Sequence, residues 1–379
     1  MKNPIYINAR FDTELIETHF DIKFSPATKN YLTITEKLWY EPNLIHARTT
    51  IPANWHNWNT DTLSMHRIPT FNPTYNLSFE EVTNLRALEI ERYHEETGLP
   101  ILITWSGGID STTVVSAVVK NFKKSTLSAV TILLNNSSYF ENPVFFNKII
   151  KPQLKYDNIE KYQDAPWKNH IYISGEPADS IWIHADILEL NQRFPGTSLK
   201  NFRTDSDVLI KFLGSKSNID HAVWFYNMIL EDIDSHAPML LETYEDFWWW
   251  INFNFYMCGL CLKSFIKDSR NHNSDSFVLY QTNYKPWFMS ELYQQWSMNN
   301  NSNGIKINGT LQSYKLPAKQ YIFDLDQNPY YYHYKSKTGS SNQYYSTDKP
   351  LNRILALYND GSVLRFNDPA CKEFLLQGC

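Results

Sequence analysis

The stretch ILITWSGGIDSTTVVSAVVKN, residues 101–121, decides how the chain is read. Residues 101–105 carry no charge, as expected of a strand buried on both faces of a parallel sheet. Residues 111–122 form a second apolar run of helical length. Between them stand Ser106, Gly107, Gly108, Ile109 and Asp110. Glycine reaches positive φ and lets a ligand approach the main chain closely. The first N–H groups of the following helix have no partner inside it. With the Ser106 and Ser111 hydroxyls they make a cradle suited to phosphate oxygens. The pattern is not a Walker loop, because no Gly-Lys-Ser/Thr follows, and its glycines lack the dinucleotide spacing. Asp110 would repel phosphate unless a cation such as Mg²⁺ lay between them. The competing reading is an ordinary turn with Asp110 as a helix cap.

Around this stretch the pattern alternates. Residues 78–94 read as an amphipathic helix, with Ser78 and Glu81 as a capping box and Gly98-Leu99-Pro100 as its stop. Phe79, Val82, Leu85, Leu88 and Ile90 are expected on its buried face, with Glu80, Arg86, Glu89 and Arg92 outside. Residues 129–134 and 170–173 read as further strands. This predicts an α/β domain built on a parallel sheet with flanking helices. Residues 205–300 turn helical and aromatic, with candidate helices at 207–213, 222–233 and 247–265. Short strands are expected at 31–35 and 38–40. A hairpin is expected near the end, where Asn359-Asp360-Gly361 separates apolar runs. The expected organisation is a β-containing extension over 1–74, the main domain over 75–340, and a hairpin extension over 341–379.

Composition narrows the class. Of 379 residues, 42% are apolar and 20% charged, which argues against disorder. Aromatic residues reach 15%, so a ring-rich core is expected. The net charge of −5 argues against a broad nucleic-acid-binding face. Met1-Lys2-Asn3-Pro4 leads into no apolar signal core, and the run 247–265 is broken by Asn252, Asn254, Gly259 and Lys263. No membrane span and a cytoplasmic location are therefore expected. The four cysteines, Cys258, Cys261, Cys371 and Cys379, make no disulfide scaffold. Cys258 and Cys261 lie in an apolar run and read as core packing rather than as a redox or metal pair.

Ser106-Gly107-Gly108-Ile109-Asp110-Ser111, after an apolar strand, resembles the SGGxDS loop of the ATP pyrophosphatase (PP-loop) superfamily. Ser174-Gly175-Glu176-Pro177-Ala178-Asp179 resembles the SGEGxDE stretch of one branch, the synthetase domain of asparagine synthetases. Pro177 stands where that family has a second glycine, and Ser180 where it has Glu. Fainter likenesses follow. Residues 286–292 resemble the PFLDxxLV segment, residues 316–322, with Lys319, the KxxLR region, and residues 335–339 the RPKxGF loop. In that last loop Lys335 and Lys337 compete for one role.

The resemblance implies an adenine nucleotide alpha hydrolase-like (HUP-type) fold and cofactors ATP and Mg²⁺. It implies that Ser106, Gly107, Gly108, Asp110, Ser111 and Gly175 hold the nucleotide, with adenine near Leu134 and Asn135. Asp110 and Asp179 would hold the metal. Glu176, Lys337 and Lys319 would assist catalysis. The implied reaction adenylates a small-molecule carboxylate, releases pyrophosphate, and lets ammonia or an amine displace AMP. No cysteine precedes Cys258, and about 100 residues precede the loop, too few for the family's glutaminase domain. Free ammonia, an amine substrate or a separate ammonia-supplying partner is expected instead. Two other readings stand beside this one. The first is a PP-loop enzyme that activates a carbonyl on a nucleobase or tRNA; the second is a nucleotide-binding protein without turnover.

Overall fold

The computed structural model describes residues 4–7, 68–134, 136–162, 166–183, 186–216, 219–256, 282–301, 314–335, 354–358 and 363–365. Its described strands are β1 (Pro4–Ile7), β2 (Ile101–Thr104), β3 (Val130–Leu134), β4 (Lys155–Asn158), β5 (Ile171–Ser174), β6 (Tyr284–Pro286), β7 (Ile354–Tyr358) and β8 (Val363–Arg365). The helices that carry the argument are α1 (Phe79–Thr97), α2 (Ile109–Asn121), α3 (Asn136–Glu141), α4 (Asp186–Arg193), α5 (Ser206–Lys216), α6 (Ile219–His236), α7 (Tyr244–Trp250), α8 (Glu291–Asn299), α9 (Leu316–Asp326) and α10 (Pro329–Tyr334).

The central sheet has five parallel strands in the order β4-β3-β2-β5-β6. From β2 the chain first adds strands on one side, β3 and then β4. It then returns to the other side of β2 for β5 and β6. The order therefore reverses between β2 and β5, and open α/β sheets bind ligands beyond the carboxyl ends of strands at such a point. The residues that follow β2 and β5 are the two stretches singled out in the sequence. Ile101, Ile103, Ile171 and Ile173 are fully buried, which explains the uncharged runs. The expected strands at 129–134 and 170–173 are β3 and β5 to within a residue. The edge strands β4 and β6 were not anticipated. Lys155-Tyr156-Asp157-Asn158 is polar and mostly exposed, and β6 has three residues ending at Pro286.

Helix α1 starts on the predicted capping box, with Ser78 N–H donating to Glu81 Oε2 at 2.8 Å. It ends at Gly98, φ 67°. Its buried face differs from the expectation. Leu85 and Leu88 are exposed, whereas Thr83, Arg86, Ala87 and Glu91 are buried with Phe79, Val82 and Ile90. Positions 79, 82/83, 86/87 and 90/91 keep one arc of a 3.6-residue helix, and 85 and 88 fall outside it. The buried polar members are used. Glu91 accepts the Lys123 N–H at 2.8 Å, and Arg86 pairs with Glu89 at 2.7 Å. Helix α2 begins at Ile109, two residues earlier than expected.

The second half of the described chain is helical, as expected. Helix α7 begins at Tyr244 rather than 247 and continues as a wider π-type turn over Ile251–Tyr256. Trp248, Trp249, Trp250 and Phe253 are buried there. Asn252 and Asn254, which interrupt the apolar run, are buried and hydrogen-bonded. Asn254 Nδ2 and Trp250 Nε1 both donate to Asp232. Residues 257–265, with Cys258 and Cys261, lie outside the described residues, as do Cys371, Cys379 and the candidate strands 31–35 and 38–40. Of the expected terminal hairpin the two strands are described, and β7 pairs antiparallel with β8. Strand β1 adds to its other side. Among the described residues no helix is long and apolar enough to cross a membrane.

One buried relay ties α8 to α1. Trp287 Nε1 donates to Tyr293 Oη at 2.9 Å, and that hydroxyl donates to Thr83 Oγ1 at 2.8 Å. Tyr293→Phe leaves a buried indole N–H without an acceptor. A loss of about 1–3 kcal/mol in urea unfolding is expected, with the fold retained.

Candidate functional site at the switch point

The ladder between β2 and β3 carries on to Trp105, whose N–H donates to Leu133 O at 2.8 Å. The Trp105 indole is buried and donates to Thr112 Oγ1 at 3.0 Å, locking the strand end to helix α2. Between them the chain reverses through Gly107, φ 81°. A Cβ on Gly107 would stand 2.5 Å from Ser138 O and 2.8 Å from Glu141 Cβ, so helix α3 leaves room for nothing larger than glycine. Ser106 Oγ and Ser111 Oγ lie 3.0 Å apart, and Ser106 N–H donates to Ser111 Oγ at 3.1 Å. The first backbone bond of α2 runs from Thr112 N–H to Gly108 O. The N–H groups before it thus have no acceptor within the helix.

The stretch after β5 meets this turn directly. A Cβ on Gly175 would stand 3.0 Å from Ser111 N and 3.2 Å from Asp110 C. Glycine at 175 gives the two loops their close approach, since any Cβ would be tight against the backbone of the first loop. Beyond it the chain folds through Pro177, with Ala178 N–H bonded to Gly175 O at 3.2 Å. Ser180 is buried and its hydroxyl donates to Pro177 O. It closes the turn and takes no part in the site. Asp179 is aimed back at Asp110. Its carbonyl is held by Asn252 Nδ2 at 3.0 Å, so the aromatic half helps to set this turn.

Asp110 and Asp179 converge on one cation. Lys315 Nζ lies 2.7 Å from both Asp110 carboxylate oxygens and 2.7 Å from Asp179 Oδ1. The Lys315 side chain is 3% exposed. Burial opposes its charge, but the two carboxylates outweigh burial and hold its pKa above the ordinary value. Tyr314 Oη reaches Asp179 Oδ1 at 3.4 Å.

Helix α9 and the end of α10 each bring one more lysine into play. Helix α9 packs on α2, with Tyr321 Oη and Asn121 Nδ2 both donating to Asn84 Oδ1. Lys319, one turn beyond Lys315, is fully buried. Burial, and then the charge of Lys335, push its pKa down to about 8. Lys335 Nζ bonds Glu141 Oε1 at 2.7 Å, and Glu141 is the residue that abuts Gly107. From α10, the buried Tyr331 donates to Gly107 O at 3.0 Å.

The structure therefore brings together Ser106, Gly107, Gly108, Asp110, Ser111, Gly175 and Asp179. Lys319 stands on the adjoining helix, and Leu134 is half-buried at the end of β3. Glu176 is exposed, its N–H donating to Ser174 Oγ at 3.0 Å. Asn135 and Lys337 lie outside the described residues. Lys315, Tyr331, Glu141 and Asn252 were not foreseen as site residues.

The donor set is chemically definite. Two carboxylates meet at one point already filled by an ammonium, with serine hydroxyls, helix-start N–H groups and lysines around it. Such a centre suits a hard cation completed by water and phosphate oxygens. Among the described residues no group of three or more His, Cys, Asp or Glu could hold a metal by itself. A separate cleft of about 520 Å³ borders Phe79, Trp296, Pro317 and Tyr321 on another face of α9 and shares no residue with the two loops.

Two outcomes follow. Gly98 and Gly107 both have positive φ, but only Gly107 is crowded. Gly98→Ala should cost about 1–2 kcal/mol. Gly107→Ala should cost at least about 1 kcal/mol more, because overpacking adds to the backbone strain. Urea denaturation of both variants checks the difference. For Lys319 the folded pKa lies below the unfolded one, so the protonated residue weakens the fold below about pH 8. That penalty is relieved as pH rises from about 8 toward 10.4, by up to about 1.4 kcal/mol per pH unit. The stability gained by Lys319→Met over the parent should therefore be largest at neutral pH and shrink above pH 8.

No family model matches the chain and no curated protein matches it significantly, so the site is read from its own residues.

Proposed function

We propose that the centre at the switch point binds ATP and runs an AMP- and pyrophosphate-forming ligation on a substrate carboxylate. The observation that carries this is the convergence of the two loops. The serine and glycine turn of residues 106–111 lies against Gly175, and Asp110 and Asp179 face one cation point. A loop that only capped a helix would need no second acidic loop closed onto it. The reading includes the finer fold assignment, an adenine nucleotide alpha hydrolase-like domain, and the implied kinship with asparagine-synthetase-type PP-loop enzymes.

In this reading the N–H groups at the start of α2 and the hydroxyls of Ser106 and Ser111 hold phosphate oxygens. Adenine lies beside Leu134 and Asn135. Asp110 and Asp179 hold Mg²⁺, which when bound neutralises phosphate charge. Lys319 and Lys335 supply positive charge toward the leaving pyrophosphate, with Lys337 the resemblance's alternative to Lys335 in that role. The substrate carboxylate oxygen bonds to the α-phosphorus as the bond to the β-phosphate oxygen breaks. Ammonia or an amine then bonds to the acyl carbon, the acyl–oxygen bond to AMP breaks, and the nitrogen gives up one proton. Glu176, which is exposed, takes that proton in this reading. Cytoplasmic location belongs to this reading, as does a nitrogen source that is free ammonia, an amine substrate or ammonia from a separate partner.

The test is chemical. Purified protein with ATP, Mg²⁺ and a panel of carboxylic acids and amines should release AMP and pyrophosphate in equal amounts, measured by phosphorus NMR. Asp110→Asn should lower that rate by roughly 10²-fold or more, the loss seen when one electrostatic stabiliser is removed. Formation of ADP and phosphate, or full activity in Asp110→Asn, would overturn the reading.

A further inference from the structure

We propose that Lys315 is the resident cation of this centre. In the ligand-free protein its ammonium fills the point between Asp110 and Asp179. A divalent ion therefore does not bind there alone and enters only with the polyphosphate that draws the ammonium away. The inference rests on the reading above in one respect, that these two aspartates take a divalent ion.

The geometry states the competition. One Nζ holds both oxygens of Asp110 and one of Asp179, each at 2.7 Å. These are the oxygens a metal would use. Lys315 is also fixed from its backbone. It caps α9 at φ 57°, a left-handed conformation that side-chain-bearing residues adopt rarely. Residues kept in such conformations are over-determined by their surroundings and cluster at functional sites. Here the surroundings are the two carboxylates and the start of α9, whose second residue is Pro317.

The energetics set the order of events. The side chain is buried, so water does not solvate the ammonium in place. A metal that took the aspartates would leave a buried ammonium unpaired, which is strongly unfavourable. A polyphosphate removes that cost, because it offers the ammonium anionic oxygens as the metal arrives. Metal and polyphosphate therefore favour each other's binding through Lys315. By reciprocity each raises the other's affinity by the same factor. Lys319 and Lys335 do not replace Lys315 here. Lys335 pairs with Glu141, and Lys319 stands one turn along α9.

The experiment is Mn²⁺ binding to the full chain without nucleotide, followed by the loss of the free Mn²⁺ signal in electron paramagnetic resonance. The wild-type protein should leave the signal nearly unchanged. Lys315→Met should bind one equivalent, with affinity raised roughly 10- to 100-fold. Asp110→Asn added to Lys315→Met should abolish that site, and Lys315→Arg should keep it shut. If Lys315→Met does not fold, as judged by near-ultraviolet circular dichroism, Lys315→Gln gives the same reading with the side-chain length largely kept. Tight Mn²⁺ binding by the wild type that Asp110→Asn removes would overturn the inference. So would the absence of any gain in the folded neutral variant. Gain of Mn²⁺ binding in a protein that forms no AMP or pyrophosphate would keep the inference and defeat the ligase reading.

Discussion

The contact between Gly175 and the first turn of α2 is the constraint on which the site depends. A Cβ on Gly175 would stand 3.0–3.2 Å from the backbone of Asp110 and Ser111, so any side chain there would push the two loops apart. The contact is possible because β2 and β5 are neighbours in the sheet although 66 residues separate Thr104 from Ile171 in sequence numbering. Once the two loops touch, Asp110 and Asp179 face each other, and two carboxylates that close need a cation. Lys315 supplies it from a third element. The carboxylate–ammonium centre is thus a consequence of sheet order and of one missing side chain.

The aromatic half does more than fill a core. Its buried rings fix α7 and the turn after it, and that turn presents Asn252 to the carbonyls of Asp179 and Trp182. Helices α9 and α10 work similarly from the other side. Tyr321 anchors α9 on α1 by donating to Asn84 and on α2 by accepting from Asn121, and Tyr331 reaches the carbonyl of Gly107. Each is a tyrosine whose ring is packed while its hydroxyl finds a polar partner, which is how this residue type joins a core to a site.

What the sequence made legible was local. The strand, glycine turn and helix of residues 101–121 lie in one continuous stretch. So do the capping box at Ser78, the stop at Gly98, and the pairing of β7 with β8. The hidden parts were long-range. Lys315 meets Asp110 across 205 positions, and Tyr331 meets Gly107 across 224. No period or spacing encodes such meetings. The family likeness over residues 316–322 starts one residue after Lys315, the lysine that meets both aspartates. Leu85 and Leu88 misled because hydrophobicity was read without the full arc. The buried Arg86 and Glu91 belong to that arc and are paired. Edge strands β4 and β6 escaped because a short edge needs neither apolar faces nor length.

The central claim is that the two loops form one nucleotide site by touching at Gly175. It is tested most directly by calorimetric titration of the full chain with α,β-methylene-ATP and Mg²⁺, with Gly175→Val alongside. The account predicts one binding site in the wild type. It predicts loss of that site in Gly175→Val with unchanged far-ultraviolet circular dichroism. Equal nucleotide binding by the two proteins, or none by the wild type, would contradict it.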